Sequence, residues 1–203
     1  MLLDKAAQAA LAEAINEQEK RTDAELVTVL ATQADDYRYV TLLWAALLSL
    51  LVPAALLFLP HWLTAFEALL LQWGMLLVLA VLFRWKPLQF RLVPRRLQHL
   101  RAASLARNAF LQQGLHRTRD ATGVLIFVSE AEHYVEILAD QGIAQHVGDD
   151  EWQAIVDTFI SRVKAGQTAQ GFQETVTACV DKLAAHVPAT RQKNELPNHL
   201  VIL

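Results

Sequence analysis

Cysteine occurs once in the 203 residues, at Cys179. An internal disulfide is therefore excluded, and the usage fits a reducing compartment. Histidine is scattered over His61, His99, His116, His133, His146, His186 and His199, with no HxxxH or HExxH spacing, which argues against a zinc site. GxSxG, the P-loop and GxGxxG are all missing, so the chain offers neither a nucleophile elbow nor a glycine-rich phosphate cradle. Charge is missing in two places. Val40–Phe83 holds no Lys or Arg, and its only acid is Glu67; Arg84–Arg119 holds no Asp or Glu. The N-terminus opens on Asp4, Lys5 and a polar helical pattern, unlike a signal peptide.

What fills the first gap organises the chain. A bilayer core needs about 20 mostly apolar residues per helix. Val40–Leu59 and Leu63–Phe83 are two such runs, separated by the turn signal Pro60-His61-Trp62. The pattern predicts a transmembrane helical hairpin over 40–83, with Pro53 kinking the first span and Tyr37 and Tyr39 at the bilayer edge. Arg84, Lys86, Arg91, Arg95 and Arg96 follow directly. By the positive-inside rule both soluble parts, and with them both termini, are expected to face the cytoplasm. The same five residues are candidate ligands for anionic lipid headgroups, each contributing about 1 kcal/mol near such a surface. The bilayer accounts for the basic stretch, so no nucleic acid is expected as a partner.

The remaining sequence reads as one discontinuous domain over 1–36 and 95–187, a basic juxtamembrane segment over 84–94 broken by Pro87 and Pro94, and a loose tail over 188–203. Leu3–Arg21 has helical apolar spacing, and Glu25–Thr32 is short and rich in branched residues, as a buried strand is. Arg95–Leu115 reads as a helix with Leu97, Leu100, Leu105, Ala109 and Phe110 inward. Gly123–Ser129 and Tyr134–Ala139 read as a β-hairpin, followed by helices from Asp149 or Asp150 to Lys164 and from Ala169 to His186. The first strand and the Gly123 strand are joined through a helix, so they are expected to lie parallel, with the membrane hairpin inserted in the crossover. The expected class is α/β, a small mixed sheet sandwiched by helices.

Asp140, Asp149 and Asp150 are the candidate ligands for calcium or magnesium, since carboxylates are hard oxygen donors. The competing reading of Asp149-Asp150-Glu151 is a helix N-terminus, where a cap and acids near the dipole are favourable. Asp35, Asp36 and Glu130 belong to the opposite sheet end, so the two sets do not form one site. Glu67 reads as an acid near the far interface, and Gln72 and Gly74 as helix-packing positions. Cys179 lies on the inner face of a helix and reads as a small core residue.

The leader TDAELVTVLAT (Thr22–Thr32), the strand pair TGVLIFVSEAEHYVEILADQGI (Thr122–Ile143), the helix DDEWQAIVDTFISRVKAGQTAQGF (Asp149–Phe172) and the closing helix Thr175–His186 together resemble the TPM domain family. Bacterial members with a membrane hairpin inside the domain look most similar, and the family's fold is an α/β sandwich. Some plant members are described as calcium-binding acid phosphatases, with a strand-end pattern close to Gly-Tyr-Gly-Leu-Glu. Here the positions are Asp140, Gln141, Gly142, Ile143 and Ala144. Ala144 stands where the acid belongs and cannot bind a cation, while Asp140 is an added carboxylate. The resemblance thus transfers no catalytic residue. An anchored compact domain without a catalytic constellation is expected to be a non-catalytic interaction or accessory module whose partners are the bilayer and another membrane protein, and the likeness to bacterial members implies the inner membrane as its place. The competing expectation is a divalent-cation-dependent, phosphatase-like hydrolase.

Overall fold

The computed structural model describes residues 5–58, 63–118, 120–190 and 200–203. The Pro60-His61-Trp62 turn, Arg119 and His199 lie outside them. In chain order the elements are α1 (Lys5–Glu19), β1 (Glu25–Ala31), α2 (Arg38–Ser49), α3 (Leu51–Phe58), α4 (Ala65–Leu82), α5 (Lys86–Leu92), α6 (Arg95–Gln112), β2 (Gly123–Ser129), β3 (Tyr134–Ala139), α7 (Gln141–Ala144), α8 (Asp149–Lys164), α9 (Thr168–His186) and β4 (Leu200–Ile202). The chain divides into a unit of residues 1–34 and 99–203 and a unit of residues 35–98.

The first unit is built on a mixed sheet in the order β3-β2-β1-β4. β1 runs parallel to β2, and β2 pairs antiparallel with β3, as the connections predict. Every residue of β1 and β2 is buried, which is what covering both faces of a parallel pair requires. Strand periodicity divides their side chains between two cores. Leu26, Leu30, Val124, Ile126 and Val128 pack with α1, α8 and α9. Val27, Val29, Ala31, Leu125 and Phe127 pack with α6. In the first core Phe159 and Phe172 meet edge to face at 4.7 Å, a preferred aromatic geometry.

Two expectations about this unit are corrected. Leu100 is 61% exposed, and α6 instead faces the sheet with Ala102, Ala106 and Ala109. The i, i+4, i+7 spacing makes that alanine stripe a single face, and small side chains let a helix sit close to the fully buried strands. The tail is also not loose throughout. Leu200–Ile202 forms β4, parallel to β1, with Thr28 opposite Leu200 and Leu30 opposite Ile202. Three consecutive apolar, mostly branched residues fit a strand, and the open edge of β1 offers backbone groups that would otherwise go unpaired.

The second unit is helical. Its first apolar run is divided at Leu50 into α2 and α3. Pro53 has no N–H to give the Ser49 carbonyl four residues back, and its ring crowds that carbonyl, so the break falls where proline dictates. Pro87 does not break the juxtamembrane segment: it occupies the first turn of α5, where a missing N–H costs nothing. Tyr37 is fully buried. It packs with Val40 and Val93 and meets Phe90 edge to face at 5.8 Å. Tyr39 is exposed.

Candidate functional site

The carboxylates expected to hold a metal do not gather. Asp140 accepts a hydrogen bond from the Gln141 N–H at 2.8 Å and caps the short α7. Asp149 and Asp150 lie in the first turn of α8, whose N-cap is Gly148 rather than either acid. Their charges there oppose the helix dipole favourably. Glu151 is paired with Lys182, whose hydrogen bond holds its carboxyl below the usual range. Among the described residues no group of three or more His, Cys, Asp or Glu could hold a metal ion. Asp140 donates its N–H to the Gly123 carbonyl at the start of β2, whereas Glu130 donates its own to the Ala31 carbonyl at the end of β1. Asp140 and Glu130 therefore lie at opposite ends of the sheet. Gly142 has a packing reason to be glycine: a Cβ there would stand 2.3 Å from the Asp120 carbonyl oxygen.

At the end of the sheet from which β1 leads out, a buried carboxylate does structural work that the sequence did not single out. Glu132 is 3% exposed. Its two oxygens both accept from the Ala34 N–H at 3.1 Å, and it also accepts from the Ser129 hydroxyl. The β2–β3 turn is thus fastened to the segment that follows β1. The signal available was Ser129 three residues before Glu132, a spacing that fits a local turn clasp. A cavity of about 160 Å³ lies nearby, walled by Val128, Phe159, Ile160 and Val163 with Glu130 and Lys164 also lining it. Opposite charges line it together, so it selects no ligand sign.

His116 lies in the turn before β2 and His133 follows its end, so the strand separates them. His146 and His186 stack with ring centres 5.3 Å apart. Cys179 is fully buried, and desolvation pushes its thiol up to about 12. A thiol held protonated in this way is a core residue and a poor nucleophile.

The basic residues form a better-defined surface. Arg84, Lys86, Arg91, Arg95 and Arg96 are all exposed, and among the described residues none has an ion-pair partner. They are held by a clasp between the two ends of the helical unit. Trp44 Nε1 donates to the Leu92 carbonyl at 3.1 Å, and the Gln89 amide donates to the Asp36 carbonyl. Gln98 Nε2 reaches the Phe90 and Val93 carbonyls at 3.0 and 3.1 Å. These are backbone groups at the α5–α6 junction, where the prolines leave carbonyls without helical donors.

Arg38–Leu56 and Ala65–Leu82 are long and apolar enough to cross a membrane, each with mean hydropathy 2.0. No residue of α4 is buried. Glu67 completes a capping box with Thr64 at the start of α4, so its carboxylate closes a helix end, in keeping with an interfacial position.

Residues 89–182 match the sequence model of the family described as the TPM domain. The fold is similar to the NMR structure of BA42 protein from the psychrophilic bacterium Bizionia argentinensis, at 18% identity and a TM-score of 0.60, over 99% of this chain and 95% of that one. None of the curated proteins matches.

Proposed function

On the premise that this chain carries a TPM domain over residues 89–182, we propose that it is a membrane-anchored member of that family. In this reading α2–α3 and α4 cross the inner membrane as a hairpin. The sheet unit stands on the cytoplasmic face as a non-catalytic interaction or accessory module for another membrane protein. One observation carries the anchor: the apolar helices leave their side chains uncovered. Leu77 is 64% and Val81 71% exposed, whereas a core helix of a water-soluble protein is largely buried. A contiguous apolar surface of that kind needs lipid or protein over it. Arg84, Lys86 and Arg91 directly after α4 support the cytoplasmic side and a grip on anionic headgroups. The non-catalytic part is supported by the places of Asp140 at the N-cap of α7 and of Asp149 and Asp150 in the first turn of α8, and by Ala144 where a cation ligand would stand.

Alkaline carbonate extraction of native membranes tests the anchor. The wild-type chain is expected in the pellet. Leu77→Arg places a charge in mid-span at a cost of about 3 kcal/mol and is expected to move a substantial fraction to the supernatant. Release of the wild type by carbonate would sink the reading. Titrating the purified chain calorimetrically with calcium and magnesium tests the rest: heat that disappears in the Asp149→Ala/Asp150→Ala variant would favour a cation-dependent hydrolase instead.

A further inference from the structure

The middle of α4 contains one uncharged, strongly polar side chain, Gln72, eight residues into the helix that starts at Ala65. Gln72 is half-buried and lines a cavity of about 180 Å³ together with Ala46, Ser49, Leu50, Trp73 and Leu76. Three observations meet there. Among the described residues no hydrogen bond reaches the Gln72 amide. The Ser49 hydroxyl donates to the Ala46 carbonyl at 2.8 Å and keeps its acceptor capacity. The helix is interrupted at Leu50, beside the carbonyl of Ser49 that Pro53 cannot serve.

We propose that this cleft is where a second copy of the chain docks, with Gln72 of each copy hydrogen-bonding across the interface. The inference rests on the membrane reading above. In hydrocarbon there is no water to satisfy an amide, so an unpaired one is costly. Polar side chains at mid-span are accordingly found in helix–helix contacts. The occupant follows from the chemistry of the amide. A two-fold contact places each group opposite itself, and a carboxamide is its own complement because it has both N–H donors and a carbonyl acceptor. A carboxylate or an ammonium could not pair with its copy in this way.

The test uses the full chain in native membranes. Gln72→Cys and Leu76→Cys lie on the proposed face; Leu71→Cys and Val78→Cys lie on the opposite side of α4, both exposed. A short bismaleimide is expected to give covalent dimer at the first two and background at the others. Cys179 is fully buried and does not contribute. In liposomes, single-molecule photobleaching over a dilution series should show Gln72→Leu raising the dimer dissociation constant roughly ten-fold, with Gln72→Asn retaining most of the association. Cross-links only at Leu71 and Val78, or an unchanged dissociation constant in Gln72→Leu, would overturn the proposal and leave the cleft to water or lipid. Carbonate extraction of each variant separates the two readings: chains that stay in the pellet as monomers refute the docking alone, whereas chains released by carbonate refute the membrane anchor.

Discussion

In the sheet unit Leu26, Val29 and Phe127 are completely shielded, and β1 and β2 have no exposed residue. In the helical unit Leu69, Leu77 and Val78 are each more than half exposed, and α4 buries nothing. The residue types are the same; the partners differ. Strands alternate their side chains onto two faces, so two helical layers suffice to cover both. The side chains of α4 radiate in every direction, and α2 covers one stripe. The hydrophobic effect is satisfied within the first unit and unsatisfied within the second. Burial on both sides of a sheet therefore marks a unit that holds itself together, and exposure all round a helix marks one that its surroundings complete.

The strongest way to break that comparison is to truncate one large apolar residue in each unit. Phe127→Ala is expected to destabilise the sheet unit by about 3–5 kcal/mol, because a buried aromatic leaves a cavity between α6 and the sheet. Leu77→Ala is expected to change sheet-unit stability by less than about 0.5 kcal/mol. Hydrogen exchange of the β1 and β2 amides in lipid nanodiscs reads both variants, since those amides open with the whole unit. Comparable losses from the two substitutions would mean that the units are one cooperative structure and that the contrast is false.

A smaller effect sharpens the picture of the sheet unit. Burial, and then the neighbouring Glu25 charge, push the Glu19 carboxyl up to about 8, partly offset by a hydrogen bond from the Leu26 N–H. The folded form therefore holds a proton that the unfolded chain releases near its ordinary value of 4.5. A raised carboxyl costs stability as pH rises from that value to about 8, and the loss is complete above it. Glu19→Gln cannot ionise. It should match the wild type near pH 4 and exceed it by on the order of 2 kcal/mol near pH 8.5, after allowance for solvent screening of a partly exposed group. Denaturant titrations at the two pH values decide it; a gain that is equal at both would remove Glu19 as the titrating group.

How much of this was legible differs between the units for the same physical reason. β2 and β3 were readable to the residue, because short branched runs bounded by Gly123, the Glu130–His133 turn and Asp140 leave little choice. The parallel pairing followed from the crossover alone. Leu100 misled because helical periodicity places it on an apolar stripe, while the sheet selected the alanine face at Ala102, Ala106 and Ala109. β4 was hidden because three residues carry no periodicity; only the open edge of β1 gives Leu200–Ile202 a reason to be a strand. At the candidate sites Asp140, Asp149 and Asp150 were visible as acids, but which acids meet is a tertiary fact. Glu132 was missed for that reason: its partner Ala34 is distant in sequence and contributes only a backbone N–H. The exposed basic series from Arg84 to Arg96 was legible because solvation, unlike packing, can be read from composition.

The smallest effect concerns Glu67, the one acid of the apolar stretch. Its carboxylate accepts from the Thr64 N–H at 2.8 Å and the Thr64 hydroxyl at 2.9 Å, while Thr64 accepts from the Glu67 N–H at 3.3 Å. A capping box needs the side-chain acceptor and not the charge, so Glu67→Gln should keep α4 intact. Thr64→Ala removes the cap at a cost of about 1 kcal/mol, which speeds exchange of the first-turn amides about five-fold. Amides deeper in α4 and those of β1 should not change in either variant. A carboxylate with a role inside the bilayer would behave differently: Glu67→Gln would alter exchange or assembly, and Thr64→Ala would not stay confined to the first turn. The comparison is clean because the two side chains share one hydrogen-bonded ring, and only one of them carries charge.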